Sequence, residues 1–371
     1  MKIISVSVMA IQLPLRRPFI VAYETYETMP MIIVKLQTDT GYIGYGEATP
    51  DQHVTGETWE STYAVLTKVL GPLVLDEHPF NIERIHARMD DALYGCPAAK
   101  AGIDIACYDL MGKISGQPVY HLLGGLYHDS LTIPYVLSIK EPEAMAQEAA
   151  DAVANGYGCI KIKVGLHRDT DIERVHAVRK AVGKSVQIRV DANQGWQNRT
   201  DTLYVLQRIE DCNIDWIEQP VVADDLVALA DVRRQTTLPI MVDEGLHDVR
   251  DMREVIALGA ADRINIKLMK CGGLYPALKL VSQAEMARME CQVGSMVESS
   301  VATAAGAHLS IAKKNITSNE MVGPLMFTQD IGALNYEGSR LHLSDKPGLG
   351  IEVDERMLAE MVCISETVDR K

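Results

Sequence analysis

Three acids and two lysines stand at matching places between residues 161 and 267 of this 371-residue chain. Short apolar runs end in Lys161-Ile162-Lys163, Asp191-Ala192-Asn193, Glu218-Gln219-Pro220 and Asp243-Glu244-Gly245, and a later run contains Asn265-Ile266-Lys267. Carboxylates from consecutive strands that converge on one point repel each other and are unfavourable to desolvate unless a cation joins them. An all-oxygen set suits a hard ion, and Mg²⁺ uses few carboxylates while keeping positions open for water or substrate. Asp191, Glu218 and Asp243 are therefore the expected Mg²⁺ ligands. Zinc would want histidine or cysteine, which these run ends lack. Any one of the acids alone reads equally well as a charge at a helix N-terminus; three in succession favour the ion.

The lysines flank the acids. In a closed eight-stranded barrel the second and sixth strands lie opposite each other, so Lys163 and Lys267 would face one another across the ion. Loss of a proton α to a carboxylate places a second negative charge on the same two oxygens. Charge positioned where that negative charge develops is the largest kind of catalytic contribution. A lysine acting as base must first lose its own proton. Lowering its pKa from ~10.4 to near 7 takes about 4–5 kcal/mol of differential stabilisation. The metal and the like charge of Lys161, on the same strand face as Lys163, both act in that direction. Lys161 is expected to tune Lys163 and to help hold a substrate carboxylate. With one base on each side, a proton removed by one lysine is returned by the other, and the carbon inverts.

A barrel is what would position such groups. Runs rich in apolar and β-branched residues occupy 133–139, 159–164, 186–191, 214–219, 239–244, 263–268, 291–297 and 316–322, starting 24 to 28 residues apart with helical stretches between. That is the rhythm of βα units, and eight in a row predict a closed parallel barrel with its chemistry at the C-terminal strand ends. No GxGxxG turn supports an open dinucleotide-binding sheet. Before the barrel, 2–13 alternates, 31–37 (MIIVKLQ) is strand-like and a turn at 38–41 leads into 42–47. A helix over 98–113 ends at Gly116-Gln117-Pro118. The expected organisation is an α+β capping domain over 1–125, a (β/α)7β-type modified TIM barrel over 126–324, and a segment over 325–371 returning to the cap.

Bulk composition narrows the partners. A net charge of −14 argues against a nucleic-acid surface, and no apolar run approaches the ~18 residues that span a membrane. The start alternates like a strand and runs into Arg16-Arg17-Pro18, so a signal peptide is not expected. Seven scattered cysteines without CxxC spacing suit reduced thiols in a cytoplasm. A small carboxylate substrate and a homo-oligomer are expected. His247 and Trp196 read as loop and packing residues, and the 17 methionines as core.

The chain resembles the enolase superfamily, muconate-lactonizing-enzyme subgroup, over its whole length. The resemblance rests on Gly46-Glu47, residues 104–113 with Gly116-Gln117-Pro118, Lys161-Ile162-Lys163-Val164-Gly165, Asp191-Ala192-Asn193-Gln194-Gly195-Trp196, Glu218-Gln219-Pro220, Asp243-Glu244 and residues 265–270 (NIKLMK). It implies Lys163 and Lys267 as acid/base residues and the three acids as Mg²⁺ ligands. Within the subgroup it is most similar to N-succinylamino acid racemases of the Arg/Lys type, including residues 51–57 (DQHVTGE) and 294–300 (GSMVESS), and next to dipeptide epimerases. Ala-Glu-type dipeptide epimerases carry an Asp-x-Asp pair after the last barrel strand for the free ammonium. Here that place reads Glu320-Met321-Val322, which favours a blocked amine. Dipeptide epimerisation, cycloisomerisation and o-succinylbenzoate synthesis use the same kind of site and remain alternatives. The resemblance also implies that Tyr26, Asp51 and Ser138 contact substrate, Asp51 pairing with a cationic side chain or standing as a solvated loop acid. Met296 and Glu298 would line the acyl pocket, or Glu298 would be a structural acid behind it.

Overall fold

The computed structural model describes residues 1–370; Lys371, the last residue of the returning segment, lies outside the described residues. The alternating N-terminal stretch forms one long strand, β1 (Ile3–Ile20), which pairs antiparallel with β2 (Thr25–Thr38), and β2 pairs with β3 (Ile43–Ala48). The inner face of this sheet is covered by a helix, Pro97–Ser115, buried along most of its length. Strand and helix touch backbone to backbone, because a Cβ on Gly46 would sit 2.0 Å from Gly102 O. The helix stops at Gly116 in a left-handed conformation (φ 65°), where a residue without Cβ is favoured.

Three short strands precede or follow the barrel: β4 (Leu131–Thr132), β13 (Asn335–Glu337) and β14 (Arg340–His342), which form a small sheet of their own. The barrel strands are β5 (Tyr135–Leu137), β6 (Cys159–Lys163), β7 (Gln187–Asp191), β8 (Trp216–Glu218), β9 (Ile240–Val242), β10 (Arg263–Ile266), β11 (Glu290–Val293) and β12 (Ile316–Asn319). All pairings within this eight-stranded sheet are parallel, and each of the eight expected runs overlaps one strand, β11 starting one residue before its run. The sheet curls until Lys161 of β6 meets Glu320, the residue after β12. No ladder joins β5 to β12 among the described residues; the gap is bridged where Asn319 Nδ2 donates to Thr132 O at 3.1 Å.

The last strand, β15 (Val362–Asp369), pairs antiparallel with β1, so the N-terminal sheet has four strands rather than the three the N-terminal pattern displays. Buried acids fasten the two parts of the molecule. Glu47 of β3 accepts from the backbone N–H of Ser299 and Ala302 at 2.9 Å each, capping the barrel helix Ser300–Ala312. Asp104 accepts from the Tyr275 N–H at 3.2 Å and from Leu274 at the start of the helix Leu274–Met286. An acid at a helix N-terminus answers both the free N–H groups and the dipole. No helix among the described residues is long and apolar enough to cross a membrane.

Candidate active site

The register aligns the strand ends: Lys163 lies opposite Asp191, and Asp191 opposite Glu218. Residues two apart share a face, so Lys161, Lys163, Asp191 and Glu218 all project into the barrel. Oxygens of Asp191, Glu218 and Asp243 lie within 4.8 Å of one another, with all three side chains buried. Lys163 Nζ sits 2.7 Å from Asp191 Oδ2, and Lys267 Nζ sits 2.8 Å from Asp243 Oδ2. The two amines therefore attach to different outer members of the triad, with Glu218 between them. The Lys267 contact lacks the angle of a hydrogen bond, so Asp243 Oδ2 is a buried acceptor without a donor. Glu244 Oε2 and Asn265 Oδ1 are also buried without donors. Such an oxygen-only set with unused lone pairs fits a hard divalent ion.

Lys161 shares the face of Lys163 and stands among the acids. Its ammonium donates to both oxygens of Glu218 at 2.9 Å, contacts Asp191 Oδ2 at 2.8 Å and pairs with Glu320. Three acids, Asp191, Glu218 and Glu320, surround it. Burial alone would lower the Lys161 pKa, but Asp191, Glu218 and Glu320 raise it well above the usual value. The same balance acts on Lys267, where Asp243 and Glu244 override burial and hold the amine protonated. Burial pushes Glu218 up, with Asp191 beside it adding to the effect, whereas in Asp243 the charges of Lys267 and Lys270 outweigh burial and keep it ionised.

Several residues not singled out from the sequence complete the cluster. Asn193 Oδ1 accepts from Lys163 Nζ at 2.9 Å while its Nδ2 donates to Glu244 at 2.9 Å, so it fixes the amine and the acid together. Asn265 Nδ2 donates to Glu218 at 2.8 Å. Lys270 donates to the Asp243 backbone and carboxylate and to Asn265 O. Alternation in Asp191-Ala192-Asn193 and Asn265-Ile266-Lys267 was the available signal for the two asparagines. Lys270 lies in the NIKLMK motif, but strand alternation does not reach it, because it comes from a short helix after the strand. Asn193, Gln219 and Val297 have positive φ (39°, 35° and 63°), conformations disfavoured for non-glycine residues and stored here at strand ends.

The capping domain covers this mouth. Burial raises the Tyr23 hydroxyl pKa far above its ordinary value, and the charges of Glu244, Asp51 and Asp243 reinforce the shift. Tyr26 donates its hydroxyl to Asp51 Oδ2, and Asp51 Oδ1 accepts from the N–H of His53 and Val54 at 2.7 and 3.1 Å. His247 Nε2 lies 2.7 Å from Val54 O, tying this loop to the barrel. Ser138 accepts from Ile20 N at 2.7 Å and donates to Ile20 O at 3.2 Å, which engages its proton with β1. Met296 and Glu298 are both buried after β11; burial pushes Glu298 up to about 7 even though Ser295 donates to it. Trp196 is a packing residue whose indole N–H donates to Asp171 at 3.0 Å. A cavity of about 620 Å³ lies beside Tyr94, Lys100 and Arg250 and is bordered by Lys270 alone among the cluster residues.

A two-part molecule of this construction, with paired lysines and acids at the strand ends, defines a superfamily. Residues 144–357 match the enolase C-terminal domain-like family, and residues 3–124 match the N-terminal domain of mandelate racemases and muconate lactonizing enzymes. The chain belongs to the enolase superfamily. It is 55% identical over 368 residues to the N-succinyl-L-Arg/Lys racemase of Bacillus cereus, covering 99% of this chain and 100% of that one. The crystal structure of that racemase superposes with a TM-score of 0.98 over 99% of this chain and 100% of that chain. A hydrophobic dipeptide epimerase of Enterococcus faecalis is 41% identical over 95% of this chain and 99% of its own length. Its structure with Mg and the dipeptide L-Leu-L-Tyr gives a TM-score of 0.91, covering 95% of this chain and 99% of that chain. In class the chain is an isomerase of the racemase and epimerase kind, as these relatives are.

Proposed function

We propose that this chain is a Mg²⁺-dependent racemase of N-succinyl amino acids, with Arg and Lys derivatives as substrates. The observation that carries the reading is the attachment of Lys163 and Lys267 to opposite outer acids of one carboxylate triad, at 2.7 and 2.8 Å. Asp191, Glu218 and Asp243 would hold the ion, which supplies positive charge to the substrate carboxylate as the α-proton leaves. Lys163 takes the α-proton from one enantiomer and Lys267 returns one to the opposite side; the roles reverse for the other enantiomer. Asn193 orients Lys163. Asp51, held by Tyr26, meets the cationic end of the substrate in a charge-assisted contact.

The blocked amine follows from Glu320. Its carboxylate is engaged by Lys161, which leaves no free acid at that place for the ammonium of a dipeptide. The 55% identity to the Bacillus cereus racemase supports the same substrate class. The test is isotope exchange in D₂O with Mg²⁺ on each enantiomer of N-succinyl-Arg. The wild type incorporates deuterium at the α-carbon of both. Lys163→Ala and Lys267→Ala each abolish inversion, and each retains exchange of only one enantiomer, opposite in the two variants. Racemisation persisting in both variants refutes the two-base assignment, and activity on free-amine dipeptides alone refutes the substrate class.

A further inference from the structure

The barrel has a second end, where the strands begin. A cavity of about 300 Å³ opens there, lined by Ser130, Cys159, Gln187, Arg189, Ser318 and Asn319 among others, and by no carboxylate. Arg189 lies opposite Lys161 in the ladder and two residues before Asp191, so it points into the barrel one layer below the active site. The residue is 7% exposed. Its Nε and Nη1 are shielded and have no acceptor among the described residues. Guanidinium does not escape burial by deprotonating, and an unpaired buried charge is strongly unfavourable.

What does hold Arg189 is an aromatic face. Its Cζ lies 4.3 Å from the centroid of the Trp216 ring, which Arg263 also approaches at 4.6 Å. Stacking of this kind fixes the guanidinium plane but uses only its face. The N–H fork stays in the plane, where it matches a two-oxygen anion. The neighbouring acids do not fill that role. Glu290 is paired with Arg263, and half-buried Asp215 is near enough for its charge to be felt yet forms no hydrogen bond with Arg189. Polar groups lining the same cavity add donors: Ser130 Oγ accepts from Arg340 at 3.0 Å, which leaves its own proton to give, and Gln187 offers an amide.

We propose that the N-terminal end of the barrel is an anion-binding site in which Arg189, backed by Trp216 and joined by Ser130 and Gln187, holds a small oxyanion, the phosphate or carboxylate group of a compact molecule. The site is separate from the proposed catalytic centre and does not depend on the racemase reading. Trp216 supplies the probe. Tryptophan fluorescence of the Mg²⁺-loaded protein is followed while sodium phosphate, or in a second arm sodium acetate, replaces chloride at constant ionic strength. A saturable change with phosphate or with acetate is expected, and the arm that saturates identifies the group. Arg189→Met keeps the apolar stem and removes the fork, so binding should weaken roughly ten- to a hundredfold, the range for a hydrogen bond to a charged group. No saturable change in either arm, or equal saturation in Arg189→Met, overturns the proposal. Should the variant not fold, wild-type crystals soaked in selenate decide: an anomalous peak beside Arg189 supports the site, and its absence there overturns it.

Discussion

His308 should make the stability of this protein depend on mildly acidic pH. It lies on the helix Ser300–Ala312 and is completely buried. Its Nδ1 accepts from Tyr120 N at 3.2 Å and its Nε2 donates to Leu349 O at 3.0 Å. Both ring nitrogens are thus satisfied in one neutral tautomer. Protonation would turn Nδ1 into a donor facing another donor, in a site where charge cannot be hydrated. Burial accordingly lowers the pKa from 6.5 to about 4, although the Leu349 carbonyl pulls slightly the other way. A drop of that size corresponds to roughly 3 kcal/mol at ~1.36 kcal/mol per pH unit. Because the unfolded chain binds the proton first, the fold loses nothing above the unfolded value of 6.5. The loss grows as pH falls from 6.5 towards 4 and is complete below that. At pH 5 it amounts to about 2 kcal/mol. His308→Asn keeps an acceptor for Tyr120 N but leaves Leu349 O unpaired, which costs about 1–3 kcal/mol at every pH. Urea unfolding of wild type and variant at pH 7.5 and 5.0, at fixed protein and Mg²⁺ concentration, isolates His308 because other titrations are common to both. The wild type should lead at pH 7.5, and its lead should shrink by about 2 kcal/mol at pH 5.0. An unchanged lead refutes the buried neutral tautomer.

Three further outcomes follow from the same geometry. Asp51→Asn retains an acceptor for Tyr26 but removes the charge, so kcat/KM for N-succinyl-Arg should fall roughly ten- to a hundredfold relative to N-succinyl-Leu; an equal fall for both would assign Asp51 a purely structural role. Because Asp191, Glu218 and Asp243 crowd together in the fold, Mg²⁺ at a hundred times its dissociation constant should add about 2.7 kcal/mol of stability. Glu218→Gln should remove most of that gain in thermal unfolding with and without EDTA, and a melting temperature indifferent to Mg²⁺ would count against the triad as its site. Gly46→Ala drives a methyl to 2.0 Å from Gly102 O and should destabilise by about 1–3 kcal/mol in chemical unfolding; Gly158→Ala, with nothing within 4 Å, is the neutral comparison.

The sequence by itself determined the strand rhythm and the identity of the groups at the strand ends. Both are local properties: a period of two within each run, a repeat near 26 residues between runs, and acids or lysines at the last inward positions. Glu320 was visible only as the one acid at a place where Val322 stands for a second. That it neutralises Lys161 depends on curling the sheet until residues 159 apart in sequence meet. The fourth strand of the N-terminal sheet, β15, is half-exposed and weakly patterned, so its partner is set by the chain's return to β1 and not by its own residues. The hydrogen bonds of Ser138 with the Ile20 backbone likewise exist only once the cap meets the barrel. Arg189 read as one more strand residue. Only the assembled barrel decides that its guanidinium lies on Trp216 with no carboxylate bonded to its Nε and Nη1, because burial and charge pairing are properties of the surroundings that side chains create together.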